Sequence, residues 1–108
     1  MSMNYQYVKG RIDDAIDELC IGPGDARKRL LSANEATSSL QDIHFPEELL
    51  ADWHSIQEQM TKSGPRTDFA GKMVEGAVAH TMSKIQNSTA SKIAEDILKL
   101  HKKLQSDY

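Results

Sequence analysis

The chain has 108 residues and a mass of 12.1 kDa, which suits one compact unit and leaves no room for a second independent core. Apolar residues make up 39% and charged residues 27%, too apolar for a disordered tail and too polar for a membrane span. A formal charge of -3 excludes the strongly basic chain that coats nucleic acid without selectivity.

One cysteine, Cys20, allows no intramolecular disulfide and none of the Cys-rich zinc sites. Met1 to Gly10 carries neither the basic start nor the apolar stretch of a secretory signal. These features predict a cytoplasmic protein with no membrane contact, and they deprive the Asn87-Ser88-Thr89 glycosylation pattern of meaning.

The first predicted helix covers Asn4 to Ile21, where Tyr5, Val8, Ile12, Ala15, Ile16 and Leu19 recur at three- and four-residue steps, with Cys20 at the edge of that face. A free cysteine there is expected to act as a small core residue. Gly22-Pro23-Gly24 stops the helix. A second helix, capped by Asp25, is predicted to Leu40, with a weak last turn at Thr37, Ser38 and Ser39. After the linker Gln41 to Phe45, a third helix starts at Pro46, with Glu47 and Glu48 opposing its positive end and a face of Leu49, Leu50, Trp53, Ile56 and Met60. Lys62-Ser63-Gly64-Pro65 ends it.

Arg66 to Lys72 has loop composition, with Phe69 expected to tuck against the bundle. From Val74 through Val78, Met82, Ile85, Thr89, Ile93, Ile97, Leu100 and Leu104 the helical step is unbroken. One continuous helix there would be about 50 Å long and would overhang the shorter helices, asking for a homodimer through this C-terminal segment. A break at Asn87-Ser88-Thr89 would instead give a five-helix monomer. With no Gly or Pro at that point, the pattern favours a long or merely kinked helix. The expected fold is therefore an all-α antiparallel bundle of four or five helices spanning 1–108 as a single domain with no sheet.

Candidate chemistry is sparse. Gly22 and Gly24 lead into a helix whose first turn carries Arg27, Lys28 and Arg29, an arrangement able to clamp an anion. It follows a helix rather than a strand and lacks the Lys-Ser/Thr ending of a phosphate loop, so a cap by Asp25 with the cations paired to acids is the competing account. Between Asp42 and Met60 the charge is -5, whereas Thr61 to Tyr108 carries +3. Lys92, Lys99 and Lys103 lie mostly off the apolar stripe and, with Trp53 and His80, form the candidate interaction surface.

The four histidines show no i,i+4 pairing, and no metal set, cofactor fingerprint or local nucleophile-base signature is legible, which argues against an enzyme. The expectation is a non-enzymatic interaction or regulatory module with a protein partner and no cofactor. The alternative is a phosphate-ligand protein, for nucleotide or nucleic acid, using the Gly22 to Arg29 turn and the C-terminal lysines.

Overall fold

The computed structural model describes residues 5–108. The start of the first predicted helix, Asn4, lies outside them. Helix α1 (Gln6–Ile21) buries Val8, Ile12 and Ala15, one residue per turn on a single face. It ends where Gly22 N–H caps Glu18 O at 2.9 Å. A Cβ at Gly22 would collide with that same carbonyl, so this close turn requires glycine. Gly24, at φ +88°, completes the reversal. Helix α2 (Ala26–Ala36) then runs back along α1, burying Leu30 and Ala33. It stops short of the predicted Leu40 because Thr37 turns its hydroxyl onto Ala33 O at 3.1 Å, the local competition that makes threonine a poor helix continuer.

The linker forms a short 3-10 turn, Asp42–His44, in which the His44 ring accepts from Gln41 N–H at 2.9 Å. A second 3-10 turn, Glu47–Leu49, leads into α3 (Leu50–Met60). Trp53, Ile56 and Met60 face inward, and Phe45 stacks on Trp53 with ring centroids 4.7 Å apart.

Between α3 and the next helix the expected loop is a small antiparallel hairpin, β1 (Arg66–Thr67) and β2 (Met73–Glu75), so the expectation of no sheet is corrected. Asp68 Oδ1 accepts from the N–H groups of Ala70 and Lys72, both at 2.9 Å, and Gly71 takes φ +82°, which closes the turn. Val74 belongs to β2 rather than to a helical stripe. Phe69, expected against the bundle, is fully exposed at the hairpin tip. Apart from the half-buried Asp68, every residue from Pro65 to Val74 is exposed, so the hairpin is an arm standing off the helices. The radius of gyration, 14.5 Å, exceeds the about 13 Å of a compact chain this long.

Helix α4 (Ala77–Lys84) and helix α5 (Asn87–Asp107) are separate. Ile85 and Gln86 are extended, with ψ 161° at each, and Arg27 Nη1 reaches Ile85 O at 3.4 Å across the break. No glycine or proline was needed, because extended backbone is open to any residue and a tertiary donor takes one freed carbonyl. The 50 Å helix and its overhang do not form. Helix α5 is the spine of the bundle, packing on α1, α2 and α3. Its stripe of Ala90, Ile93, Ile97, Leu100 and Leu104 is buried within this chain, each large side chain contributing about 1.5–3 kcal/mol. Thr81 is buried and hydrogen-bonded within the chain, while Ser88 and Thr89 are exposed. No described helix is long and apolar enough to cross a membrane.

Candidate apolar groove and the cationic turn

Where α1 ends and α2 begins, α5 passes alongside but does not close the gap, leaving an open groove of about 540 Å³. Helix α1 supplies Ile16, Leu19 and Cys20, and α5 supplies Ala94, Glu95 and Leu98. The floor and end come from Gly24, Asp25, Ala26 and Arg29. Leu98 is 40% exposed, and Ile21, the residue after Cys20, is 82% exposed. Cys20 is itself exposed, which corrects the expectation of a core cysteine: the helix turns its edge toward a gap that no neighbour fills.

Polar groups are few and specific. Arg29 donates to Leu19 O at 3.3 Å, tying α2 to the end of α1. Its Nε–H is buried, and nothing among the described residues accepts from it. Asp25 caps α2 by accepting from Lys28 N–H at 3.1 Å, and Arg27 folds back onto the same carboxylate at 3.0 Å. The Lys28 amide first and the Arg27 guanidinium second hold the Asp25 carboxyl below its ordinary value. A carboxylate of the chain itself thus sits at the helix start where an external anion would be held. The five residues of the cationic turn divide accordingly. Gly22 makes the turn, the Arg27 guanidinium and the Lys28 backbone N–H meet Asp25, and Gly24 and Arg29 line the groove.

The predicted interaction residues do not converge. Trp53 is only 5% exposed and stacked on Phe45, so it is core rather than surface, because α3 lies against α5 instead of at the bundle edge. His80 is half-buried and its Nδ1 donates to Gly64 O at 2.9 Å, pinning the root of the arm. Lys92, Lys99 and Lys103 are exposed on α5. Lys103 meets Asp52 of the acidic third helix at 2.7 Å, and Lys99 lines the same cleft, so part of the charge asymmetry is answered within the chain.

The remaining histidines are tied locally, His54 to Asp42 at 2.9 Å and His101 to Asp13 at 2.7 Å. Among the described residues no three His, Cys, Asp or Glu side chains form a metal-ligand group.

Sequence reasoning missed most of the groove. Ile16 and Leu19 share the core-facing stripe of α1, and only tertiary packing shows that this end of the stripe is uncovered. Leu98 offered the one legible signal, an apolar residue off the α5 stripe between Ile97 and Lys99.

Fold and site together define an all-α bundle carrying a β-hairpin arm and an open apolar groove. No protein-family model, curated protein or solved structure matches the chain.

Proposed function

We propose that this chain is a non-enzymatic helical interaction module of the cytoplasm, which binds a protein partner through the groove between α1, α2 and α5. The observation that carries the reading is the groove's composition. Its apolar walls, with Leu98 and the adjoining Ile21 left open to water, suit an apolar side chain. Self-association through the C-terminal helix enters in a narrower form, since the apolar stripe of α5 is buried within this chain and Leu98, its exposed large apolar residue, faces the groove.

The test is affinity capture from lysate of the source organism, with and without nuclease, comparing the natural chain with Leu98→Asp. A stoichiometric protein partner that survives nuclease and is lost in Leu98→Asp supports the module. Capture of nucleic acid alone, removed by nuclease and by the Arg27→Ala/Arg29→Ala pair, overturns it in favour of phosphate recognition at the cationic turn.

A further inference from the structure

Nothing local ends the helix between α4 and α5. The apolar step runs through the break, Val78, Met82, Ile85, Thr89 and Ile93 following at three or four residues, with neither glycine nor proline in residues 77–107. Asn87, Ser88 and Thr89 favour helix starts, yet the cap position falls on Gln86, which makes no side-chain cap bond, and the first turn of α5 holds no acidic residue. The N–H groups of Asn87, Ser88 and Thr89 lie outside the helix ladder, whereas a continuous helix would offer them the carbonyls of Ser83, Lys84 and Ile85. What holds the two helices apart is tertiary. Helix α4 packs on α2 and α3, and Arg27 Nη1 reaches Ile85 O at 3.4 Å. Past the break, the Asn87 side chain adds to the hydrogen bonds on Asp25.

We propose that Ile85 and Gln86 are the hinge of an exchange: α4 and α5 straighten into one helix, and α5 seats against α1, α2 and α3 of a second copy, which returns its own α5 about a two-fold axis. Exchange needs no open surface. Its interface is the one already described, since the stripe of Ala90, Ile93, Ile97, Leu100 and Leu104 meets the same core whichever copy supplies it. The joined helix, residues 77–107, is about 46 Å long at 1.5 Å per residue, of which α5 makes up about 31 Å, so α5 stands clear of its own bundle. Closed and exchanged forms differ at the hinge, where helix hydrogen bonds replace the Arg27 contact, and in the entropy of joining two chains, which concentration offsets. The groove is complete in both forms, so the exchange stands or falls apart from what the groove binds.

The full-length chain is unfolded in urea, refolded at a series of protein concentrations and followed by sedimentation velocity. A species of twice 12.1 kDa is expected to grow with concentration. Gln86→Pro fits the break, with φ −86° at residue 86 and extended backbone at Ile85 before it, and it keeps the carbonyl that accepts from Ala90 N–H. In the straight helix its ring would meet the Met82 carbonyl, so this variant is expected to lower the dimer association constant by about a hundredfold or more. Arg27→Ala releases Ile85 O and is expected to raise that constant by about fivefold or more. Exchange itself is read with Asp13→Cys/His101→Cys/Cys20→Ser and a short bismaleimide, because Asp13 and His101 meet at 2.7 Å between α1 and α5. The monomer is expected to cross-link within one chain and the dimer between two, giving a covalent dimer on a denaturing gel.

A chain that refolds only to monomer, Arg27→Ala included, overturns the proposal. So does a dimer that cross-links only within its chains, which marks association through a surface, and so does a folded Gln86→Pro chain that dimerises as well as the natural one. If Gln86→Pro fails to fold, the cross-link and Arg27→Ala decide alone.

Discussion

The backbone N–H of Ser63 donates to the Thr81 hydroxyl at 3.0 Å, and that wholly buried hydroxyl donates in turn to Ala77 O at 2.8 Å. One side chain therefore joins the end of the third-helix turn to the middle of α4, on the near side of the arm. Thr81→Val keeps the shape and removes the acceptor, leaving Ser63 N–H without its partner. The expected cost is about 1–3 kcal/mol in urea unfolding. Amide exchange at Ser63 should rise more than exchange in α1, and equal rises would show that the bond holds nothing locally.

The core and groove leucines of α5 should separate cleanly. Leu104 is fully buried, so Leu104→Ala is expected to destabilise by about 2–5 kcal/mol through lost burial and the cavity left behind. Leu98 is exposed, and Leu98→Ala should stay within about 0.5 kcal/mol. Chemical denaturation of the two variants checks the pair. A large effect at Leu98 would mean that the groove closes in solution.

Two glycines should respond with opposite signs in thermal unfolding. At Gly22 an added Cβ meets the Glu18 carbonyl, and Gly22→Ala is expected to cost about 1–3 kcal/mol as the turn shifts. Gly10 lies within α1 with nothing near its missing Cβ, so Gly10→Ala should stabilise by about 0.5–1 kcal/mol.

Acid should weaken the fold through two named carboxylates. Asp25 is held below its ordinary value by the Lys28 amide and Arg27, and Glu48 by its own backbone N–H and the Tyr108 hydroxyl, which donates at 2.8 Å. A carboxylate depressed in the folded state contributes stability above its unfolded value, and the contribution is lost as pH falls through the folded value. Unfolding midpoints should therefore drop on acidification. Asp25→Asn keeps a capping oxygen but not the charge, and should flatten that drop. The raised Tyr108 has the opposite sense, its contribution being lost as pH rises through its folded value.

Much of the frame is written in local pattern. The three- and four-residue spacing of Val8, Ile12 and Ala15, or of Ile93, Ile97, Leu100 and Leu104, places each helix and its inward face. Asp25 marks a helix start because a short carboxylate satisfies a first-turn N–H, and it does so here. These readings succeed because the interactions behind them span only a turn or two of chain.

The arm, the helix break and the groove were decided only by tertiary structure. Val74 and Val78 are four apart and read as one helical face, yet Asp68 and Gly71 close a turn that sends Val74 into a strand. The α4–α5 break is held in part by Arg27, 58 residues before Ile85, a partner that no periodicity reports. Trp53 went to the core and Cys20 to the surface for one reason. A helix face specifies what avoids water, but whether a neighbour arrives to cover it depends on how α5 crosses the other helices. The sequence by itself determined the helices and their faces; packing decided which of those faces stayed open.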